Sequence, residues 1–113
     1  MSNIPKYYTS IQDIIWKHLD KQHYALFLFG SRATGNNAPH SDIDVGLLGE
    51  NKVPSDKLSN IWEEIEESII PYQVDVIDFH PTNENFCNIA LRKIELWNNP
   101  PNLMLKYNLT STQ

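Results

Sequence analysis

The stretch Gly30–Asp44 reads GSRATGNNAPHSDID and stands between two apolar runs, Tyr24–Phe29 (YALFLF) before it and Val45–Leu48 (VGLL) after it. The first run is too short for a helix and rich in aromatic residues, so it reads as a buried strand ending at Gly30. Residues 42–48 alternate and read as a second strand. Between them Gly35, Asn36, Asn37 and Pro39 are turn formers, and Arg32 to Thr34 can begin a short helical turn. Two strands joined through a glycine-led connection, with an Asp-x-Asp opening the second, set the frame for the rest of the chain.

Upstream, Thr9 and Gln12 have capping-box spacing, and Ile11, Ile14, Ile15, His18 and Leu19 fall on one helical face. The spacing predicts a helix over 10–22, with residues 1–8 as a lead-in and Trp16 well off the apolar face. Downstream, Ser55 and Asp56 are good N-caps for a helix to about Ser68, stopped by Pro71. Leu58, Ile61, Trp62, Ile65 and Ile69 form its apolar face, and Glu63, Glu64, Glu66 and Glu67 its wet one. Tyr72–Phe79 reads as a third strand. Asn83 or Asn85 can cap a last helix, Phe86–Trp97, broken by Asn98-Asn99-Pro100-Pro101, with 98–113 as a tail. The order is α-β-(turn)-β-α-β-α, a small α/β or α+β domain with helices packed on a sheet.

Composition narrows the function. At 113 residues the chain has room for one core. There is no apolar run of about 18 residues for a membrane span, and MSNIPKYYTS lacks a secretory pattern. A lone cysteine, Cys87, makes no internal disulfide and fits a reducing cytosol; it reads as helix packing. The net charge is −5, and only two of nine basic residues are arginine, which argues against direct nucleic-acid binding. A small substrate whose phosphates arrive with metal ions remains compatible.

The chemistry lies in the carboxylates. Residues two apart on a strand face one way, roughly 6.6 Å apart, so Asp42 and Asp44 present both acids to one side and Ile43 and Val45 to the other. Carboxylate oxygens suit Mg²⁺, which commonly takes one or two of them plus substrate phosphates. A pair of such ions clamps a phosphoryl displacement and usually wants a third acid. Asp75, between Val74 and Val76, is the natural candidate, because a charge there needs a partner. Asp78 has the opposite parity and ranks below it. Gly30 has no Cβ to keep a phosphate away, and the Ser31 hydroxyl can donate to phosphate oxygens. Arg32 adds a fixed positive charge, useful for phosphate or for a carboxylate of the site. The loop is neither a Walker loop nor a dinucleotide fingerprint. His40 reads as a solvated loop residue and His18 as a core histidine with a hydrogen-bonded ring. Trp16, Trp97 and the tail read as packing or a protein contact surface.

Gly30-Ser31, ten intervening residues, then Asp42-Ile43-Asp44 resembles the GSx10DxD signature of the polymerase-β-like nucleotidyltransferase superfamily. GSRATGN with SDIDVGLL is especially similar to its minimal nucleotidyltransferase (MNT) branch, and Asp75 in QVDVID matches the family's third aspartate. The resemblance covers roughly residues 10–97. It implies a mixed sheet flanked by helices, two Mg²⁺ (or Mn²⁺) on the three aspartates, and transfer of a nucleoside monophosphate from an NTP with pyrophosphate leaving. Small MNT proteins are commonly antitoxins of HEPN ribonuclease toxins, and the characterised type adenylylates a toxin tyrosine. The expected nucleotide is therefore ATP by family analogy. An acceptor hydroxyl must be positioned in line, and a domain this small is expected to take it from a partner protein or a dimer mate. Two other readings stand beside this one. One is a non-catalytic antitoxin that occludes its partner. The other is a small-molecule transferase of the aminoglycoside type.

Overall fold

The computed structural model describes residues 4–35, 37–80 and 93–101. Helix α1 spans Ile4–His18, strand β1 Tyr24–Phe29, the short turn α2 Ser31–Thr34, β2 Ile43–Gly49, α3 Ser55–Glu66, β3 Val74–Asp78 and β4 Glu95–Asn98. The strands form one sheet in the order β3-β2-β1-β4. The β1–β2 and β1–β4 pairs are antiparallel and the β2–β3 pair is parallel, so the sheet is mixed. The expected class, a small mixed sheet flanked by helices, is the one observed.

Strand alternation divides the side chains between two faces. Leu26, Leu28, Ile43, Val45, Leu47 and Val76 pack with Ile11, Ile14 and Ile15 of α1 and Ile61 and Ile65 of α3. Most of them are fully buried, and each such side chain contributes about 1.5–3 kcal/mol relative to exposure. Glu64 ties the two helices at their wet edge. Lys17 Nζ donates to its Oε2 at 2.7 Å, and His18 Nε2 lies 2.9 Å from its Oε1. His18 is thus the half-buried, hydrogen-bonded histidine expected from its place on the helix.

The opposite face carries an aromatic cluster. Phe27 and Phe29 each lie 5.1 Å from Phe79, edge to face, with Ala25, Leu48 and Ile94 around them. Gly46 lies opposite Phe27 on β2, where a Cβ would run into the Phe27 and Phe79 rings.

Several boundaries differ from expectation. Helix α1 begins at Ile4 rather than Ser10 and ends at His18 rather than Gln22. Pro5 sits in its first turn, where a missing N–H costs nothing. Thr9 lies inside the helix, its hydroxyl donating to the Pro5 carbonyl at 3.1 Å, so it is not the cap. The N-cap of α3 is Pro54, one residue before Ser55, and the helix stops at Glu66. The larger correction is at β4, where Glu95–Asn98 is strand and not the end of a helix 86–97. Ile94 and Trp97 satisfy a helical step of three. Ile94 and Leu96 on the aromatic side, with Trp97 on the helix side, satisfy period two equally well. The edge of β1 supplies the hydrogen-bonding partner that decides between them. Cys87 and the rest of that expected helix to residue 92 lie outside the described residues, as does the tail from 102.

Candidate active site

The register of the sheet puts the acids in one row. Phe29 of β1 stands opposite Asp44 of β2, and Asp44 stands opposite Asp75 of β3. By alternation Asp44 and Asp75 leave the sheet on the face opposite the helices. Asp42, one residue before β2, shares that parity and is exposed, while Asp44 and Asp75 are half-buried. The Asp44 carboxyl is held above the usual carboxylate range. Burial is the largest cause, and the charges of Asp75 and Asp42 follow, against an opposing contribution from Arg32. Three acids of this kind form an under-neutralised, all-oxygen donor set, which fits a hard divalent cation. As placed, no three His, Cys, Asp or Glu side chains among the described residues converge closely enough to enclose an ion. Asp44 and Asp75 are neighbours across strands, and Asp42 precedes the ladder.

Gly30 belongs to this row more closely than its sequence suggests. Its backbone lies at φ 74° and ψ −155°, a region that only glycine enters without strain. A Cβ there would also overlap Asp44 Oδ2. The strand end is thus pressed against the acid, and the chain turns directly into α2, with Ala33 N and Thr34 N both donating to the Gly30 carbonyl. Ser31, half-buried, opens that turn. Gly30 is brought against the acidic row, and Ser31 follows it in the chain.

Arg32 is placed differently from a simple phosphate ligand. Its Nη2 and Nε donate to the Ser41 carbonyl at 2.6 and 3.0 Å, and Nε also reaches the Asp42 carbonyl at 3.2 Å. The guanidinium carbon lies 4.9 Å over the Tyr72 ring, and Tyr8 lies near enough to feel its charge. Sequence reasoning missed both tyrosines. The available signal for Tyr72 was its position at the approach to β3, three residues before Asp75.

The remaining candidates sort by their partners. Asp78 is buried, accepting from Val53 N at 2.7 Å and His80 N at 3.0 Å, and so holds the loop before α3 rather than a metal. His40 is exposed in its loop. Trp16, expected off the apolar face, is half-buried against the helix-side core, and Trp97 stacks 5.0 Å from Tyr8. The large hydrophobics left exposed among the described residues are Trp62 (47%) and Ile69 (82%). Trp62 borders an open groove of about 680 Å³ between α3 and β3, which Asp75 also lines. No helix among the described residues is long and apolar enough to cross a membrane.

Comparison with known proteins agrees with this geometry. The chain is 32% identical over 71 residues to a probable protein adenylyltransferase MntA of Haemophilus influenzae, a match covering 63% of this chain. It spans 61% of that relative's length. Among solved structures, a toxin-antitoxin complex with AMP-PNP superposes with a TM-score of 0.68 at 18% identity, covering 86% of this chain and 77% of the other. An MNT antitoxin in complex with a tri-AMPylated HEPN toxin of Shewanella oneidensis gives 0.60 at 15% identity, covering 88% and 82%. At these identities the likeness is one of fold. The family model for polymerase beta nucleotidyltransferases matches residues 10–101, and the chain belongs to that family.

Proposed function

We propose that this protein is a cytosolic, metal-dependent nucleotidyltransferase that moves AMP from ATP to a tyrosine hydroxyl of a HEPN toxin and thereby acts as its antitoxin. The observation that carries the reading is the row Gly30–Asp44–Asp75, a phosphate-permissive turn pressed against two facing acids. Membership of the family and the MntA-like sequence support the reaction class. The solved complexes with HEPN toxin and with AMP-PNP support the partner and the nucleotide.

In this reading Asp42, Asp44 and Asp75 would hold Mg²⁺, with Mn²⁺ as the alternative, which would offset charge on the reacting phosphates. Gly30 and Ser31 hold the triphosphate. Asp75 orients the acceptor hydroxyl and takes its proton as the new O–P bond forms at the α-phosphorus. The α–β bridging bond breaks and pyrophosphate leaves. The acceptor comes from the partner.

The test is transfer of label from α-labelled ATP to a HEPN-type protein supplied as partner, with Mg²⁺ present. An Asp42→Asn/Asp44→Asn variant is expected to lose roughly 10³-fold or more in rate, since several kcal/mol of charge stabilisation goes with the metal. If that variant still neutralises the toxin fully, the protein works by occlusion and the catalytic reading fails. Transfer to a small hydroxyl compound with no second protein present would favour the aminoglycoside-type alternative.

A further inference from the structure

We infer that Arg32 is a positioning residue that fixes Asp42 and the entry to β2, and is not a ligand of the triphosphate. The inference rests on the site proposed above and assigns the one guanidinium among the described residues a different task. Three segments must be held in register for the acids to work together, and this single side chain touches the approach to each. It projects from α2, directly after Gly30. Its fork spans the carbonyls of Ser41 and Asp42. Its flat face covers the Tyr72 ring at the approach to β3.

The Ser41–Asp42 backbone has need of such a clamp. The β2–β3 ladder begins at Ile43, whose N–H donates to the Gln73 carbonyl at 2.8 Å. Asp42 therefore stands outside the ladder, exposed, at the end of a glycine- and proline-containing connection. The guanidinium supplies the bonds at those carbonyls that a further ladder step would have supplied. Its surroundings point the same way. Tyr8 and Tyr72 pack against the cluster on the helix side of the sheet, whereas Asp44 and Asp75 emerge on the other face. A guanidinium with three bonds to two carbonyls, and stacked on a tyrosine ring, is committed before any nucleotide arrives. Lysine cannot replace it, because a point-like ammonium neither bridges two carbonyls at fixed angles nor stacks equally well on a ring.

The test uses Arg32→Lys, with Tyr72→Leu and Tyr72→Phe as a second pair that leaves the arginine in place. The first readout is amide hydrogen exchange of the full chain without metal or nucleotide. Arg32→Lys is expected to speed exchange at residues 41–43 by about tenfold, the net worth of about one of the bonds that the guanidinium makes. Tyr72→Leu is expected to speed it less, and Tyr72→Phe not at all. The second readout is ATP binding by calorimetry across a Mn²⁺ titration. A clamp predicts that Arg32→Lys requires more metal to bind ATP but recovers wild-type ATP affinity once metal is saturating. Unchanged exchange, or an ATP affinity still depressed at saturating metal, overturns the inference and makes Arg32 a phosphate ligand. The exchange readout does not depend on transferase activity. Failure of the wild-type chain to bind ATP with metal would count against the proposed function alone.

Discussion

The two sides of β2 put one backbone to opposite uses. Ile43, Val45 and Leu47 are fully buried under α1 and α3 and make the core. Asp44, and Asp42 just before the strand, face the other way and supply the acids of the proposed site. Strand alternation lets seven residues encode a fold and a site independently, because neither set of side chains occupies the space of the other. The division also runs along the second face. Beside Asp44 and Asp75 it is acidic, and a few residues on, at Phe27, Leu48 and Phe79, it is aromatic and dry. The acidic end is where ionisation works against folding. Burial first, and then the charges of Asp75 and Asp42, push the Asp44 carboxyl up.

The strongest way to break this comparison is to cut each side separately. The Asp42→Asn/Asp44→Asn variant should lose transfer by the roughly 10³-fold argued above while its unfolding midpoint in metal-free buffer stays at or above that of the wild type. Leu47→Ala should do the reverse. A fully buried leucine truncated in a packed core costs about 2–5 kcal/mol, read as a lower denaturant midpoint. The fraction that remains folded should keep its turnover. If the acid variant unfolds, or Leu47→Ala leaves stability untouched, the two faces are not independent.

Gly30→Ala tests the one place where the two roles meet. The alanine would sit at a φ of 74°, a strain of order 1–3 kcal/mol, and its methyl would have to displace the Asp44 carboxylate. We expect a modest fall in thermal midpoint together with a rate loss of about 10²-fold, the cost of misplacing a reacting group by about 1 Å. A fall in stability with normal rate would mean that Asp44 can move without consequence.

What the sequence made legible follows from these ranges of interaction. The facing of Asp42 and Asp44 needed only the period of a strand, and Asp75 only a charged residue between two valines. The apolar stripe of α1 and the strand Tyr24–Phe29 were readable for the same local reason. The contact of Gly30 with Asp44 was not, since it depends on the β1–β2 register. Nor was the strand at Glu95–Asn98, because Ile94, Leu96 and Trp97 satisfy two periods and a distant β1 edge chooses between them. The start of α1 was hidden by Pro5, which reads as a breaker but is harmless in a first turn. Arg32 advertises charge without saying which acceptors it meets, and two carbonyls and a tyrosine ring reach it first.

The smallest effect expected is a difference in the sign of two pH dependences. The folded-state pKa of Asp44 lies above its ordinary value of 3.8, so at neutral pH its ionisation opposes folding. As pH falls through the folded value toward 3.8, the native state takes up the proton first and the penalty disappears. Glu64 is the opposite case. Hydrogen bonds from Lys17 and His18 hold it below its ordinary 4.5, so its contribution is present above 4.5 and is lost as pH falls through the lowered value. Urea unfolding from pH 7 to pH 4 without metal separates the two. Asp44→Asn should exceed the wild type most at neutral pH and converge on it as the solution is acidified. Glu64→Gln should fall below the wild type at neutral pH, and its gap should persist until the pH passes under 4.5. Should the Asp44→Asn advantage grow on acidification instead, the carboxylate is held as an anion by a counter-charge. The acidic row would then be neutralised from within the chain, and a divalent ion would have no repulsion to relieve.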